Sequence, residues 1–495
     1  MNNKTLHSIQ DIKDHFKQDE TIQYFISASN FNLMVLSDWV KHWFNINLID
    51  CYDEQNRNVI LPEYSNLPAF KDIESINQFL LGNKEIVAHI RNNQALNRNT
   101  NALFLFYDRE LEKMVDSLDM NLIMPANKLV KHIDNKITTT EIGNSVDVPS
   151  VPNALVKIEN YQQLKDTIKK HQLGNDVVIQ TAYGDSGKTT FFVSNEEDYH
   201  EAAETIEAQD KVKVMQHIQC LQVAMEACAT RQGTYIGPIL TEIIGHPKLT
   251  PYKGGWCGNN VDPDIFDRST QETMYEYSTR LGQTLYKNGY RGYFEIDYLI
   301  DVSDTDNIRV YLGEINPRVT GISAITNMSE FCNQHIPLFL FHLLEFSQTE
   351  FDLRPEEFNK ISINYKHPAF SQLIFKYTEK DLKIITDIPK TGIYTLQNGK
   401  LHYSHYANNT RGMKNDEIFV LRILTQDEYV YKGADMLILF SNKQLQNAHN
   451  ELTPVADELI SSVYNAIQYR ELTDEEIQLT QRYAKHASLK SSADS

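Results

Sequence analysis

Acidic side chains recur inside two apolar, strand-like segments, Gly292-Tyr293-Phe294-Glu295-Ile296-Asp297-Tyr298-Leu299-Ile300 and Arg309-Val310-Tyr311-Leu312-Gly313-Glu314-Ile315-Asn316-Pro317-Arg318. The joint between them, Asp301-Val302-Ser303-Asp304-Thr305-Asp306-Asn307, is rich in turn formers and predicts a hairpin. Side chains alternate along a strand. Tyr293, Glu295, Asp297 and Leu299 are therefore expected on one face, and Leu312, Glu314 and Asn316 on one face of the partner. Carboxylates that face each other across a hairpin repel, and burying them is costly unless a cation lies between them. Converging hard oxygen donors suit Mg²⁺, which keeps several waters and takes substrate phosphates as further ligands. A solvent-facing acidic hairpin is the plainer alternative. The continuation of Glu-Ile-Asn-Pro-Arg into Val319-Thr320-Gly321 favours the metal, because it sets a guanidinium two residues beyond the last oxygen donor.

Other elements must hold this hairpin in a site. Residues 24–28, 46–51, 102–107 and 122–124 read as strands, with helical patterns through Trp39 and Trp43 and over residues 110–118. Strands separated by helices predict a doubly wound parallel sheet. A dinucleotide site would need Gly-x-Gly-x-x-Gly after the first strand, where Ser27-Ala28-Ser29-Asn30-Phe31-Asn32 stands instead. Further on, Gly187-Lys188-Thr189 ends like a P-loop, but that spacing requires glycine at Ala182. The following Thr190-Phe191-Phe192-Val193 reads as a strand, whereas a P-loop needs a helix N-terminus there. Residues 248–260 form a Gly-rich stretch with Lys253 and Trp256, expected to be a loop on the substrate or phosphate side, and residues 273–286 an amphipathic helix. Near the C-terminus, Asn398-Gly399 between β-runs predicts a tight hairpin, and residues 434–440 another strand. The segment after Asp474 is polar and reads as helix.

At 495 residues the chain has room for about three domains. A formal net charge of -19 argues against a nucleic-acid partner, since affinity there comes from Lys and Arg neutralising phosphates. Five scattered cysteines without a Cys-x-x-Cys pair fit a reducing compartment better than disulfides or zinc. Without an apolar signal core or a run of about 20 apolar residues, the expectation is a cytoplasmic protein with no membrane partner.

Asp297 on one strand, followed by Glu314-x-Asn316-Pro317-Arg318 on the next, resembles the metal-binding half of the ATP-grasp superfamily, in its carboxylate–amine ligase and biotin carboxylase-like branches. The resemblance covers residues 131–345. It implies that Asp297 and Glu314 bridge two Mg²⁺ ions, which Mn²⁺ can replace, and that Asn316 completes one site. Glu295 lies on the same face as a rival; the apolar Tyr298-Leu299-Ile300 after Asp297 matches the family's run and favours Asp297. Arg318 would stabilise an acyl-phosphate step. Lys136 matches a lysine that reaches the nucleotide phosphates, although Asn135 replaces the usual Asp before it. The loop Ser186-Gly187-Lys188-Thr189 would fold over the phosphates with its backbone N–H groups, Lys188 also serving catalysis. Gln180 stands where most of the family has a phosphate-facing lysine, a loss of charge that Lys188 or Lys136 could restore. Gln216, His217 and Ile218 match the hinge that reads adenine, though residue type alone fits His217 equally to a surface or core position. Glu226, an isolated acid in an apolar strand, would suit ribose hydroxyls or a metal-bound water.

The implied architecture is α/β and α+β multidomain: a Rossmann-like pre-ATP-grasp unit over 1–130, a two-lobed ATP-grasp unit over 131–345, and an accessory α+β unit over 346–495. The implied reaction is ATP-dependent joining of a carboxylate to an amine, with amino acids or peptides as candidate substrates, in a chain that can form a homodimer. Two alternatives stay open. One is a biotin carboxylase-like enzyme, for which this chain has no Ala-Met-Lys-Met-type carrier segment. The other is a non-catalytic nucleotide sensor, to which Gln180 gives weight.

Overall fold

Hydrophobic periodicity resolves into four sheets. The computed structural model describes residues 5–64, 67–68, 70–184, 189–304 and 307–478. The N-terminal sheet holds β1 (Ile22–Ser29), β2 (Trp43–Ile49), β3 (Val59–Ile60), β4 (Thr100–Phe104) and β5 (Asn121–Leu122) in the order β3-β2-β1-β4-β5. All its pairings are parallel, as continuous apolar strands with helical crossovers require. The expected helix through Trp43 is absent. A 3₁₀ turn, Leu36–Asp38, is all that forms, and Trp43 opens β2 because its ring is wholly buried, edge-on to Phe339.

A small antiparallel sheet follows, in the order β6-β9-β7-β8, from β6 (Asn153–Val156), β7 (Val177–Gln180), β8 (Thr190–Val193) and β9 (Val212–Gln216). Thr190–Val193 is thus a strand, which excludes the P-loop. The helix Lys136–Asn144 precedes this sheet. Asn135 caps it by accepting from the Ile137 and Thr138 N–H groups, a task Asn performs as well as Asp.

The largest sheet has ten strands. It begins with β14 (Arg309–Asn316), β13 (Gly292–Asp301), β10 (Cys220–Thr230), β11 (Gly233–Ile244) and β12 (Trp256–Val261). It continues without a break into Phe370–Lys376, Asp435–Ser441, Glu417–Arg422, Gly392–Gln397 and Lys400–His405. β12 corrects the reading of 248–260 as loop throughout: its register with β11 and Phe370–Lys376 makes residues 256–261 the strand that joins the two halves. The Gly392–Gln397 and Lys400–His405 hairpin turns at Asn398 and Gly399, whose φ values of 52° and 69° are those an Asn-Gly turn needs. The long helix Arg268–Lys287 covers the other face of β10 and β11. Among the described residues no helix is long and apolar enough to cross a membrane.

Candidate active site

β13 and β14 pair antiparallel, with Asp297 opposite Glu314 and Glu295 opposite Asn316. The ladder slips between Asp297 and Tyr298, so that Gly313 is an extra residue. This bulge corrects the expected facing of Leu312. Leu312 pairs with Tyr298 and enters the core beneath the sheet, while Glu314 stays on the other side with Asp297. Added bulk at Gly313 would press on the Asp297 carbonyl, 3.0 Å from its notional Cβ.

The cleft lies between the small sheet and the large one. Val178, Gln180, Met215, Gln216 and Ile218 form one wall, Asp297, Leu299, Gly313 and Glu314 the other, and Lys136 and Trp256 also line it. The helix Lys136–Asn144 rests on β14, with Gly143 against Leu312, and so delivers Lys136 into an ion pair with Glu314. The Asn316 amide donates to Asp297 Oδ2 at 3.1 Å, and its oxygen accepts from Arg318 Nη2 at 3.3 Å. The Arg318 guanidinium is stacked 4.5 Å from the Phe106 ring centroid of the N-terminal unit.

Charge in this cluster is uneven. Burial, together with Glu295 and Glu314 nearby, pushes Asp297 well above the usual carboxylate range. Burial also opposes ionisation of Glu314, but the Lys136 charge and hydrogen bond outweigh it and hold that carboxyl below the usual range. Asp297 Oδ1 is buried and has no hydrogen-bond partner among the described residues. An acceptor left open beside a second carboxylate and an amide oxygen fits a hard divalent cation. Among the described residues, no three His, Cys, Asp or Glu side chains are grouped to hold a metal by themselves. Two carboxylates and one amide leave positions for water and phosphate oxygens.

Glu295 lies two pairs further along, 5% exposed and opposite Glu226, and does not line the cleft. Glu226 departs from its expected place at the ribose or a metal-bound water. It is completely buried, accepting from the Tyr293 and Ser323 hydroxyls, and Gln222, nearer the hinge on the same strand, lines the cleft instead. His217 points outward, its ring edge-on to Phe192 at 5.6 Å, and its backbone N–H donates to the Asp176 carbonyl. Gln180 is placed at the end of β7, beside Thr190. Ser186, Gly187 and Lys188 lie outside the described residues. Thr189 follows them and packs against Gly184.

Two charged residues were not singled out by the sequence. Glu242 on β11 lines the cleft, pushed well above the usual range by burial and then by Asp297 and Glu314. Its signal, one acid in Ile239-Leu240-Thr241-Glu242-Ile243-Ile244, is the same that drew attention to Glu226. Lys213 on β9 is fully buried, and burial lowers its pKa to about 8.

No family model and no curated protein sequence matches this chain. Solved structures do. The biotin carboxylase domain of 2-oxoglutarate carboxylase from Hydrogenobacter thermophilus, in complex with MgADP, ADP and bicarbonate, superposes with a TM-score of 0.57 at 10% identity, over 91% of each chain. N5-carboxyaminoimidazole synthetase from Staphylococcus aureus, complexed with ADP, gives 0.50 at 13%, over 94% of this chain and 98% of that one. Biotin carboxylase from Campylobacter jejuni gives 0.51 at 12%, over 90% and 92%. The likeness runs over about nine-tenths of each chain, so this chain has the fold of these structures, the ATP-grasp fold.

Proposed function

We propose that this protein is an ATP-dependent carboxylate–amine ligase. The observation that carries the reading is the opposition of Asp297 and Glu314, with Asn316 and Lys136 beside them, on the wall of a cleft roofed by a separate small sheet. The structural neighbours solved in complex with ADP and MgADP support ATP and Mg²⁺ as ligands of this cleft. The substrate carboxylate attacks the γ-phosphorus, ADP leaves, and the amine then displaces phosphate from the acyl phosphate to give an amide and a proton. Mg²⁺ held by Asp297, Glu314 and Asn316 would offset repulsion between the carboxylate and the triphosphate. Lys136 balances Glu314 and faces the phosphates. Arg318, braced on Phe106, meets charge developing on the transferred group. Gln216 and Ile218 seat the base, and Trp256 helps wall the cleft from water. In this reading residues 1–130 contribute to substrate binding, 131–345 activate it, and 346–495 close one side of the site.

The test is ADP release across a panel of carboxylates with and without amines, with hydroxylamine as trap. A hydroxamate formed with one carboxylate supports the ligase. ADP release on bicarbonate alone would instead make the chain a producer of carboxyphosphate, the chemistry nearest its structural neighbours. ATP binding with no ADP from any carboxylate would leave a nucleotide sensor.

A further inference from the structure

The charge missing at Gln180 has a specific replacement. In the β7–β9 ladder Gln180 is directly opposite Lys213. Directly opposed residues of an antiparallel pair project to the same side of the sheet, a few ångströms apart. Two residues back along the same ladder, Val178 and Met215 are likewise opposed, and both line the cleft. Lys213 therefore points to the cleft side, under Gln180. Its side chain is fully buried, and among the described residues its ammonium donates only to the Gly313 carbonyl, at 3.5 Å. It forms no ion pair among the described residues, although Lys136, beside the same carboxylate cluster, does. Gln180 and Gly313, which cover it, both line the cleft. Glu314 acts on Lys213 only through space, since that carboxylate is bonded to Lys136. An ammonium buried without a bonded counter-ion is costly, so a fold that keeps one there must gain by it elsewhere.

We infer that Lys213 supplies the phosphate-facing positive charge of the cleft, moved from β7 to the opposed position of β9, and that Gln180 is the neutral neighbour which lets it stay. The inference rests on the proposal that the cleft binds ATP. It requires that an anion entering beside Gln180 draws the ammonium away from the weak Gly313 bond. Lysine at both positions would set two ammonium groups against each other across one pair, which explains why the strand facing the phosphates carries an amide.

The test is calorimetry of adenosine, ADP and ATP binding with Mg²⁺, on the full chain. Wild-type protein that binds none of them removes the ATP reading itself, before Lys213 is in question. If it binds, Lys213→Met, which keeps the stem and drops the charge, should weaken ADP and ATP by on the order of 10- to 100-fold, the range for a hydrogen bond to a charged group. Adenosine affinity and thermal midpoint should not fall, since an unpaired buried charge has been removed. Adding Gln180→Lys to Lys213→Met should restore ADP and ATP affinity, because the charge returns to the same spot from the opposite strand. Unchanged ADP and ATP affinity in Lys213→Met overturns the inference. So does an equal loss of adenosine and nucleotide binding with a lowered midpoint, since that marks a structural counter-ion. If Lys213→Met does not fold, Gln180→Lys with Lys213→Gln carries the same comparison, and failure to bind ADP as wild type does overturns it.

Discussion

Asp297 and Glu314 face each other across the hairpin, yet among the described residues only Glu314 has a cation bonded to it, and the two carboxyls are driven to opposite sides of their usual range. A divalent ion between them competes with a proton for Asp297, whose carboxyl burial shifts upward. Mg²⁺ binding should therefore be coupled to proton release, increasingly so as pH falls, seen as a binding enthalpy that changes with the ionisation enthalpy of the buffer. Asp297→Asn should abolish that release and lower turnover by at least roughly 100-fold, with no loss of thermal stability, because one of two repelling acids has gone. A buffer-independent enthalpy, or a fully active mutant, contradicts the assignment. Glu226 gives a separate test. Burial raises its pKa to about 7, although Ser323, Tyr293 and Thr320 hydroxyls work against the rise. The folded chain holds this proton more tightly than the unfolded chain, so its contribution to stability falls as pH climbs from about 4.5 to about 7, and is level above. A rise from 4.5 to about 7 corresponds to about 3 kcal/mol. Glu226→Gln should remove this dependence, gaining stability relative to wild type between pH 5 and pH 8 in urea unfolding. Parallel curves for the two proteins would show that Glu226 does not titrate in that range.

Elements decide which of these residues meet. The acidic hairpin was legible because an acid in β-sequence keeps a period of two, and the register places Asp297 against Glu314. The slip at Gly313 was not legible: a glycine in a strand marks a bulge only once its partner strand is known, and this one sent Leu312 to the core. The same lack of partner information let the rule of the isolated acid select Glu226 and pass over Glu242, which differ only in where their strands place them. Lys213 was hidden for the same reason, since its opposition to Gln180 exists only in the ladder. The helix that brings Lys136 to Glu314 depends on close approach at Gly143, where an added Cβ would lie 2.7 Å from the Leu312 side chain and 2.8 Å from the Val148 carbonyl. Gly143→Val should lift that helix from β14. It should cost on the order of 1–3 kcal/mol of stability as an overpacked contact and weaken ADP binding through the displaced Lys136. Stability lost with nucleotide affinity unchanged would show that the helix does not set the lysine.

For the whole molecule, sequence suggested three successive units, and local pattern could not show how they share a core. The ten-stranded sheet runs from the acidic hairpin through β12 into Phe370–Lys376, a pairing between strands more than a hundred residues apart. Gly258 permits that junction: its φ is 154°, and a Cβ there would stand 2.3 Å from the Gln372 carbonyl. The largest apolar cluster draws on all three stretches, with Trp43 and Phe104, Tyr293 and Phe339, and Phe370, Phe419 and Phe440 in one body. A partly buried ion pair between Arg422 and Asp53 ties the last stretch to the first. Local pattern shows neither contact, because both join residues far apart in the chain. Residues 346–495 should then be needed for folding and not only for closing the site. A chain ending at residue 345 would leave β12 as an open edge and Phe339 to Leu344 without part of their cover. Full-length protein should unfold in one transition, with tryptophan fluorescence and far-ultraviolet circular dichroism coincident, whereas the truncated chain should be aggregated or lack cooperative unfolding. A soluble 1–345 fragment that melts cooperatively and binds ADP as the whole chain does would show that the continuous sheet joins two independently folding bodies.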